Sequence, residues 1–456
     1  MSLQTWLRYL LLAGSAAATI CICGCGAGVV TLATTSTAPA TLTVPPSRGM
    51  VMGGQQPVAG VTLQLYQAGT TGYGSVATQL GSPVQTNGAG NFNLPSYTCT
   101  AGSQVYLVGT GGQPIAATMS SPAVTNNNLA LMVGLGTCGG TDLNTFINVN
   151  ELTTVASVWA LAPFMTGIAN IGSSSTNATG LANAFNVINE VVNTANGTMP
   201  GPSLPAGATL PQDEINTLGD MLEQCINSGG GAVVGGVSDG SNCGNLFALA
   251  PNAAGTVYPT DTITAMMNIA QSPGRNVASL NTLRSANPVF QPPLSVNHAP
   301  NDWTIAITYT GGGLSSPTSI ATDAAGAVWV TNSGNNSVTK LDATGSADST
   351  SSGFTAGGFN APSAIAIDTS GNAWVANSGN NSITKLNSAG TSGSVFAGNG
   401  LNAPASIAID GSGNVWVANS GANPVSAFTS SGAVLSNSPY SGAGASRPAS
   451  VAVTPK

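Results

Sequence analysis

Charge is what this chain has least of. Asp, Glu, Lys and Arg together make up 5% of its 456 residues, eight of them basic and fifteen acidic, against about 25% in an ordinary soluble protein. With so few cations and a net charge of −7, no basic stripe exists to neutralise a phosphate backbone, and nucleic acid is excluded as a partner. Nor is there a basic amphipathic helix to lie on an anionic membrane surface. Histidine occurs once, as His298 between Asn297 and Ala299, where it reads as a solvated linker residue. One imidazole without partners offers neither a triad nor a metal site, so the expectation is no catalytic residue, no metal ligand and no cofactor. The apolar run Leu10 to Ile20 is too short to span a bilayer comfortably. Low charge does not here mean disorder, which couples low hydrophobicity to high net charge; 42% of the residues are apolar, enough to bury a core.

The N-terminus has the layout of an export signal: Arg8, then the apolar run, then small residues. Next comes Ile22-Cys23-Gly24-Cys25-Gly26, which resembles the lipobox of bacterial lipoproteins. The resemblance implies acylation at Cys25 and a membrane association through that lipid alone, with plain signal-peptidase cleavage as the alternative. Either route exports the chain, to the periplasm, the outer membrane or cell surface, or the medium. Residues 1–25 are therefore read as signal and 26–48, rich in Thr, Ala and Pro, as a flexible tether. Four of the seven cysteines remain beyond the signal, Cys99, Cys138, Cys225 and Cys243, an even number as expected in an oxidising compartment. Four allow three pairings, and proximity favours Cys99 with Cys138 and Cys225 with Cys243. A zinc site is disfavoured because no pair among them has C-x2–4-C spacing.

The length sets a prior of roughly three domains, and the patterning agrees. The expected fold class is multidomain: a β-sandwich, a small all-α disulfide-containing domain, then an incomplete β-propeller of about three blades. Over 49–141 the period is two, with Val58, Val61, Leu63 and Leu65, the turn Asn87-Gly88-Ala89-Gly90, and the run Ser103 to Val108. The string PVAGVTLQLY, TNGAGNFNL, GSQVYLVGTGG resembles the prealbumin-like, carboxypeptidase regulatory-like domains of secreted bacterial proteins. Over 142–286 the period becomes 3.6. Asn150 caps a helix with Leu152, Val155, Ala156 and Trp159 on one face; Leu181, Ala184, Phe185, Ile188 and Val191 form a second stripe that Gly197 should end. Pro211 opens a third, Thr260 a fourth stopped by Pro273-Gly274, and Val277 to Leu283 a short fifth. The Gly-rich stretch Gly229 to Asn242 reads as a loop. Residues 287–302 read as a linker and Trp303 to Tyr309 as a strand. Gly134-Leu-Gly136-Thr-Cys-Gly139 fits a dinucleotide-binding string, but without a βαβ context it reads as a glycine-rich connection.

Residues 303–456 repeat one sentence three times: LSSPTSIATDAAGAVWVTNSGNNSVTKL, FNAPSAIAIDTSGNAWVANSGNNSITKL and LNAPASIAIDGSGNVWVANSGANPVSAF. The steps are 45 and 42 between Trp329, Trp374 and Trp416, and 45, 42 and 44 between Pro317, Pro362, Pro404 and Pro448. A period of about 40 to 50 residues built from short strands is that of propeller blades. The grammar resembles NHL-type repeats and, more broadly, the propellers that include streptogramin lyases. Its signature residues are Asp323, Asp368 and Asp410 closing the first strand, Trp329, Trp374 and Trp416 in the second, and Asn332, Asn377 and Asn419 after it. Where the NHL repeat carries Arg, this chain has Lys340 and Lys385, and in the third unit Ala427. Each Asp reads as a turn residue, since one carboxylate per turn is too few for calcium. A closed propeller takes four to eight blades. With three blades, a strand before them and one after, Ser450 to Val453, the expectation is a truncated relative of longer propellers. The alternatives are a partner chain completing the ring or a helical domain covering an edge.

The function expected from these readings is that of a non-catalytic exported cell-envelope protein, lipid-anchored, whose propeller and sandwich surfaces bind a protein or polysaccharide. A lyase-type enzyme related to the streptogramin-lyase propellers is the alternative; against it stands the lack of histidine from 303 to 456.

Overall fold

The computed structural model describes residues 40–114, 125–140, 146–422, 424–441 and 446–453. The export signal, the lipobox with Cys25 and the tether up to Pro39 lie outside the described residues. The chain is mostly β-sheet with few helices. Among the described residues its first part holds eleven strands: β1 (Thr41–Val44), β2 (Ser47–Gly53), β3 (Gln56–Ala59), β4 (Thr62–Gln67), β5 (Thr78–Gln85), β6 (Asn91–Leu94), β7 (Tyr97–Thr100), β8 (Gln104–Thr110), β9 (Gln113–Pro114), β10 (Ala130–Thr137) and β11 (Ile147–Val149). They form one sheet of order β10-β8-β4-β5, a second of order β11-β2-β3-β9 with β6 also on β2, and the pair β1-β7. Alternation along β4 buries Leu63 and Leu65, and with Val61, Val105 and Leu107 they make the common core.

Two compositional readings change at the ends of this unit. The last residues of the tether, Thr41 to Val44, are a strand pairing with Tyr97–Thr100, because a β-branched TLTV segment has an edge to join. The string from Gly134 lies in β10 as far as Thr137, where the strand ends: a Cβ at Gly134 would lie 2.3 Å from Ile188 Cδ1, and the register shifts between Gly134 and Gly136. Gly134 serves packing, Gly136 a bulge and Gly139 the turn that follows.

Six helices follow: α1 (Glu151–Leu161), α2 (Ala178–Val191), α3 (Gln212–Ile226), α4 (Asn242–Leu249), α5 (Thr262–Gln271) and α6 (Val277–Asn281). Asn150 caps α1 as expected, its side chain accepting from Thr153 N while Thr153 Oγ1 accepts from Asn150 N. The second helix stops at Val191, six residues before Gly197, which instead turns toward Thr198 at φ 70°. The stretch from Gly229 holds a hairpin (β14, Val233–Val234; β15, Val237–Ser238; the earlier small hairpin being β12, Met165–Gly167, with β13, Asn170–Ile171) and then α4, capped by Ser241. Eight residues with little periodicity were too short to read as a helix.

These helices do not form a domain with a core of their own. One continuous hydrophobic core runs from Val44 to Trp303 through both sheets and all six helices. The joint is β10, whose outward N–H groups at alternate residues would otherwise be an unpaired edge. Hydroxyls from the helices close it: Ala130 N donates to Thr262 Oγ1 (2.9 Å), Met132 N to Thr154 Oγ1 (3.0 Å) and Gly134 N to Ser157 Oγ (3.0 Å). Helix α1 is accordingly buried on nearly all sides.

The linker and the strand expected after it are docked on this body. Asp220 Oδ1 accepts from Val289 N and Phe290 N, both at 2.9 Å, Thr217 Oγ1 accepts from Leu294 N, and Asn216 Nδ2 donates to Pro292 O. Trp303 is fully buried, and its carbonyl accepts from Trp159 Nε1 at 2.7 Å. Ile305 and Ile307 pack against the same core, and Thr308 exchanges two backbone hydrogen bonds with Thr209. The segment is extended but its pairing partner is a loop, so it is not a sheet strand.

Two disulfides, Cys99–Cys138 and Cys225–Cys243, join the pairs that proximity favoured. Such bonds belong to an oxidising, non-cytoplasmic setting. Among the described residues no helix is long and apolar enough to cross a membrane.

The helix body predicts two stability effects. Glu151 is fully buried, and burial, reinforced by Glu223 and Asp220, raises its carboxyl to about 8 although Gly54 N donates to Oε1 at 2.7 Å. Burial likewise raises Asp220 to about 6. The folded chain therefore holds these protons more tightly than the unfolded chain, so the stability these two groups contribute is complete below the ordinary carboxylate range and is lost as pH rises through 6 toward 8. Thermal unfolding across pH should show that fall, and Glu151→Gln should flatten its upper part; an unchanged profile would refute the assignment. Replacing both cysteines of Cys99–Cys138 by Ala should cost about 4 kcal/mol, and of Cys225–Cys243 about 3 kcal/mol, from the loops they close. Urea denaturation measures both, and a loss near zero for either pair contradicts the loop argument.

Candidate functional site

Each repeat folds as a small antiparallel sheet. Blade 1 has β16 (Pro317–Thr322), β17 (Val328–Asn332) and β18 (Ser337–Leu341); blade 2 has β19 (Pro362–Ile367), β20 (Ala373–Asn377), β21 (Ser382–Leu386) and β22 (Gly393–Ala397); blade 3 has β23 (Pro404–Ile409), β24 (Val415–Asn419) and β25 (Val425–Phe428). Residues 450–453, expected as a strand, join no sheet, and Val451 N donates to Ser406 Oγ.

The carboxylates sit where the turn reading puts them. Asp368 Oδ1 accepts from Ser370 N (3.0 Å) and Asn372 N (2.9 Å), and Oδ2 from Trp374 Nε1 (3.2 Å). Asp323 does the same with Ala325 N, Ala327 N and Trp329 Nε1, and Asp410 with Ser412 N, Asn414 N and Trp416 Nε1. Each carboxylate thus closes its turn and aims the indole of the next strand. Burial opposes ionisation of Asp368 and Asp410, but hydrogen bonds from the following Asn and Trp outweigh it. They hold Asp368 below the usual range and Asp410 at about 2.

The signature asparagines are not surface groups. Asn332, Asn377 and Asn419 are fully buried. Their Oδ1 atoms accept from Ser315 N, Asn360 N and Asn402 N, and their Nδ2 atoms donate to hydroxyls of the third strand, Thr339, Thr384 and Ser426, each at 3.0 Å. They latch strand ends together, and the surface available for a ligand must come from other residues.

Those residues appear where one blade meets the next. Trp329 and Trp374 are fully buried, the first against Phe359 and Ile365, the second against Leu401 and Ile407. Lys340 Nζ stands 5.0 Å over the Trp329 ring and donates to Ser388 O of blade 2. Lys385 Nζ stands 5.1 Å over Trp374, 3.6 Å from Asp368 Oδ2, and donates to Ser430 O of blade 3 at 2.8 Å. A cation over an indole contributes about 0.5–2 kcal/mol, less than burying the indole itself, so the lysine orients a contact that the tryptophan stabilises. An aromatic series with the same steps, Tyr309, Phe354, Phe396 and Tyr440, completes it. Tyr309, Phe354 and Phe396 lie over Gly345, Gly390 and Gly432 of the following turn, where a Cβ would approach the ring to between 2.0 and 2.2 Å. The 45, 42 and 44 steps of these aromatics and the matching glycines were legible in the sequence, but only beside the proline and tryptophan periods.

The two ends of the array differ from its middle. Ile320 of blade 1 is 66% exposed, whereas its equivalents Ile365 and Ile407 are 6% and 8% exposed. At the other end Trp416 is half-buried, and with Asp410, Ser412, Val451 and Val453 it lines a cavity of about 510 Å³. Tyr440 lies tilted against Trp416 with ring centroids 5.3 Å apart, where Phe396 stacks on Trp374. The residue paired with Trp416 across the sheet is Ala427, where blades 1 and 2 have lysine. This cavity is the candidate site. Among the described residues, no cluster of His, Cys, Asp and Glu has the arrangement of a metal site, and His298 is exposed in the segment before Trp303.

No family model and no curated protein matches the chain. Solved structures match in part. A streptogramin B lyase aligns at 20% identity and TM-score 0.23 over 27% of this chain and 40% of its own. A catalytically inactive virginiamycin B lyase from Staphylococcus aureus with quinupristin aligns at 19% identity and TM-score 0.26 over 31% and 46%. A nidogen/laminin complex aligns at 20% identity and TM-score 0.22 over 26% and 45%. The chain thus spans less than half the length of these propeller-type neighbours, one group a lyase and the other a binding complex.

The difference between a sealed and an open tryptophan predicts unequal mutational costs. Trp374→Ala should destabilise by about 3–5 kcal/mol, and Trp416→Ala by well under half of that. Equal losses in chemical denaturation would mean that the outer face of blade 3 is as closed as the inner ones.

Proposed function

We propose that the chain is an exported, non-catalytic binding protein of the cell envelope, anchored by a lipid at Cys25, whose blades and paired sheets dock a protein or polysaccharide. The observation that carries the reading is the engagement of the repeated carboxylates. Asp323, Asp368 and Asp410 each accept two turn amides and an indole N–H. The last two are held ionised well below neutrality. A general base for lyase chemistry needs the opposite shift, toward the working pH. The disulfides support an extracytoplasmic location, and the half-open Trp416 cavity supplies a docking surface. A partner chain that continues the blade array from blade 3 or from the exposed Ile320 side is part of this reading.

The test separates binding from turnover. Purified chain is passed over immobilised envelope polysaccharides and envelope proteins, and incubated in parallel with soluble polysaccharides and lactone substrates with and without divalent metal. Saturable retention with no unsaturated or ring-opened product is expected; metal-dependent product formation would establish the lyase alternative instead.

A further inference from the structure

We propose that the cavity at the outer face of blade 3 is a binding site for a primary alkylammonium group, of the kind a lysine side chain carries, held between the Trp416 ring and the Asp410 carboxylate. The molecule contains its own template for this. In blade 2 an ammonium, Lys385 Nζ, lies 5.1 Å over the Trp374 ring and 3.6 Å from Asp368 Oδ2. In blade 1, Lys340 Nζ lies 5.0 Å over Trp329. The receiving groups in blade 3 are built alike. Asp410 Oδ2 accepts from Trp416 Nε1 and from Asn414 Nδ2, both at 3.0 Å, as Asp368 Oδ2 accepts from Trp374 Nε1 and Asn372 Nδ2.

Two things set blade 3 apart. The position paired with the tryptophan is Ala427 rather than lysine, so the repeat's own cation is not supplied there. The space is also open: Asp410 and Trp416 both line the cavity, and Val451 and Val453 form its apolar side. An ionised carboxylate keeps acceptor capacity beyond the two side-chain donors on Oδ2, and an indole face attracts a cation. The valines suit the methylene stem that carries an ammonium head. A carboxylate ligand would meet the charge of Asp410, and a neutral hydroxyl would leave the ring's attraction unused. The chemistry therefore selects a cation on an aliphatic stem.

This deepens the binding reading above, and the two fail separately: a chain found to turn over polysaccharide would refute the non-catalytic reading and leave the ammonium site as it is. The test uses full-length chain labelled with 5-fluorotryptophan. It carries Lys456→Ala, so that the chain's own last lysine cannot compete. Six tryptophans give six resonances, and Trp416→Phe assigns the one concerned. Nα-acetyl-lysine amide and n-butylamine should shift the Trp416 signal saturably, with dissociation constants in the millimolar range that weaken at high salt. Nα-acetyl-norleucine amide, which lacks the charge, should not.

Asp410→Asn should weaken binding about tenfold or more, the loss of a charge partner. Ala427→Lys should abolish the titration by placing an ammonium over the ring from within. The resonances of Trp159, Trp303, Trp329 and Trp374 report whether each variant is folded, and the Asp410→Asn result decides the matter should Ala427→Lys not fold. No saturable shift, or an equal response to the norleucine compound, would overturn the proposal.

Discussion

Every strand edge in this protein has to be closed by something, and charge is scarcely available to do it. Unpaired N–H and C=O groups along an exposed edge invite pairing with other chains, and natural sheets commonly blunt such edges with lysine and other charged residues. Here the closing groups are mostly neutral. Thr262, Thr154 and Ser157 seal β10, and buried Asn332, Asn377 and Asn419 fasten the strand ends of the blades. The helices depend on the first of these, since hydroxyl contacts with β10 bring α1 and α5 onto the sheet and merge two expected domains into one core.

In the blades the same economy takes another form. One carboxylate closes a turn, aims an indole and, in blade 2, receives a lysine that also reaches the next blade. Such a contact propagates in one direction only, each blade presenting a tryptophan face forward and an isoleucine face backward. Blades 1 and 3 therefore present two unlike faces, one with exposed Ile320 and one carrying Trp416 and Asp410. On the second, the groups that join blades elsewhere line a cavity.

Much of the candidate site could be read in the chain itself. Asp410 and Trp416 stood in a visible repeat, their roles in turn and packing followed from neighbouring residue types, and Ala427 was visible as the missing cation. The asparagines were legible as repeat marks but not as buried latches, because burial of an amide depends on a third strand arriving over it. Trp303 to Tyr309 carried a strand-like pattern. Whether such a segment finds a sheet or a helix layer is decided by what lies opposite, and here α1, α2 and the loop at Thr209 lie opposite.

Sequence alone determined the period, the turn chemistry and the face of each long helix, since all of these rest on spacing along the chain and local hydrogen bonding. Only the tertiary structure decided that the sandwich and helices share one core, that the linker is docked through Asp220, and that the tryptophan of the third blade faces a cavity. Those outcomes depend on contacts between residues tens to more than a hundred positions apart. Local pattern carries no information about which of two complementary surfaces will be covered.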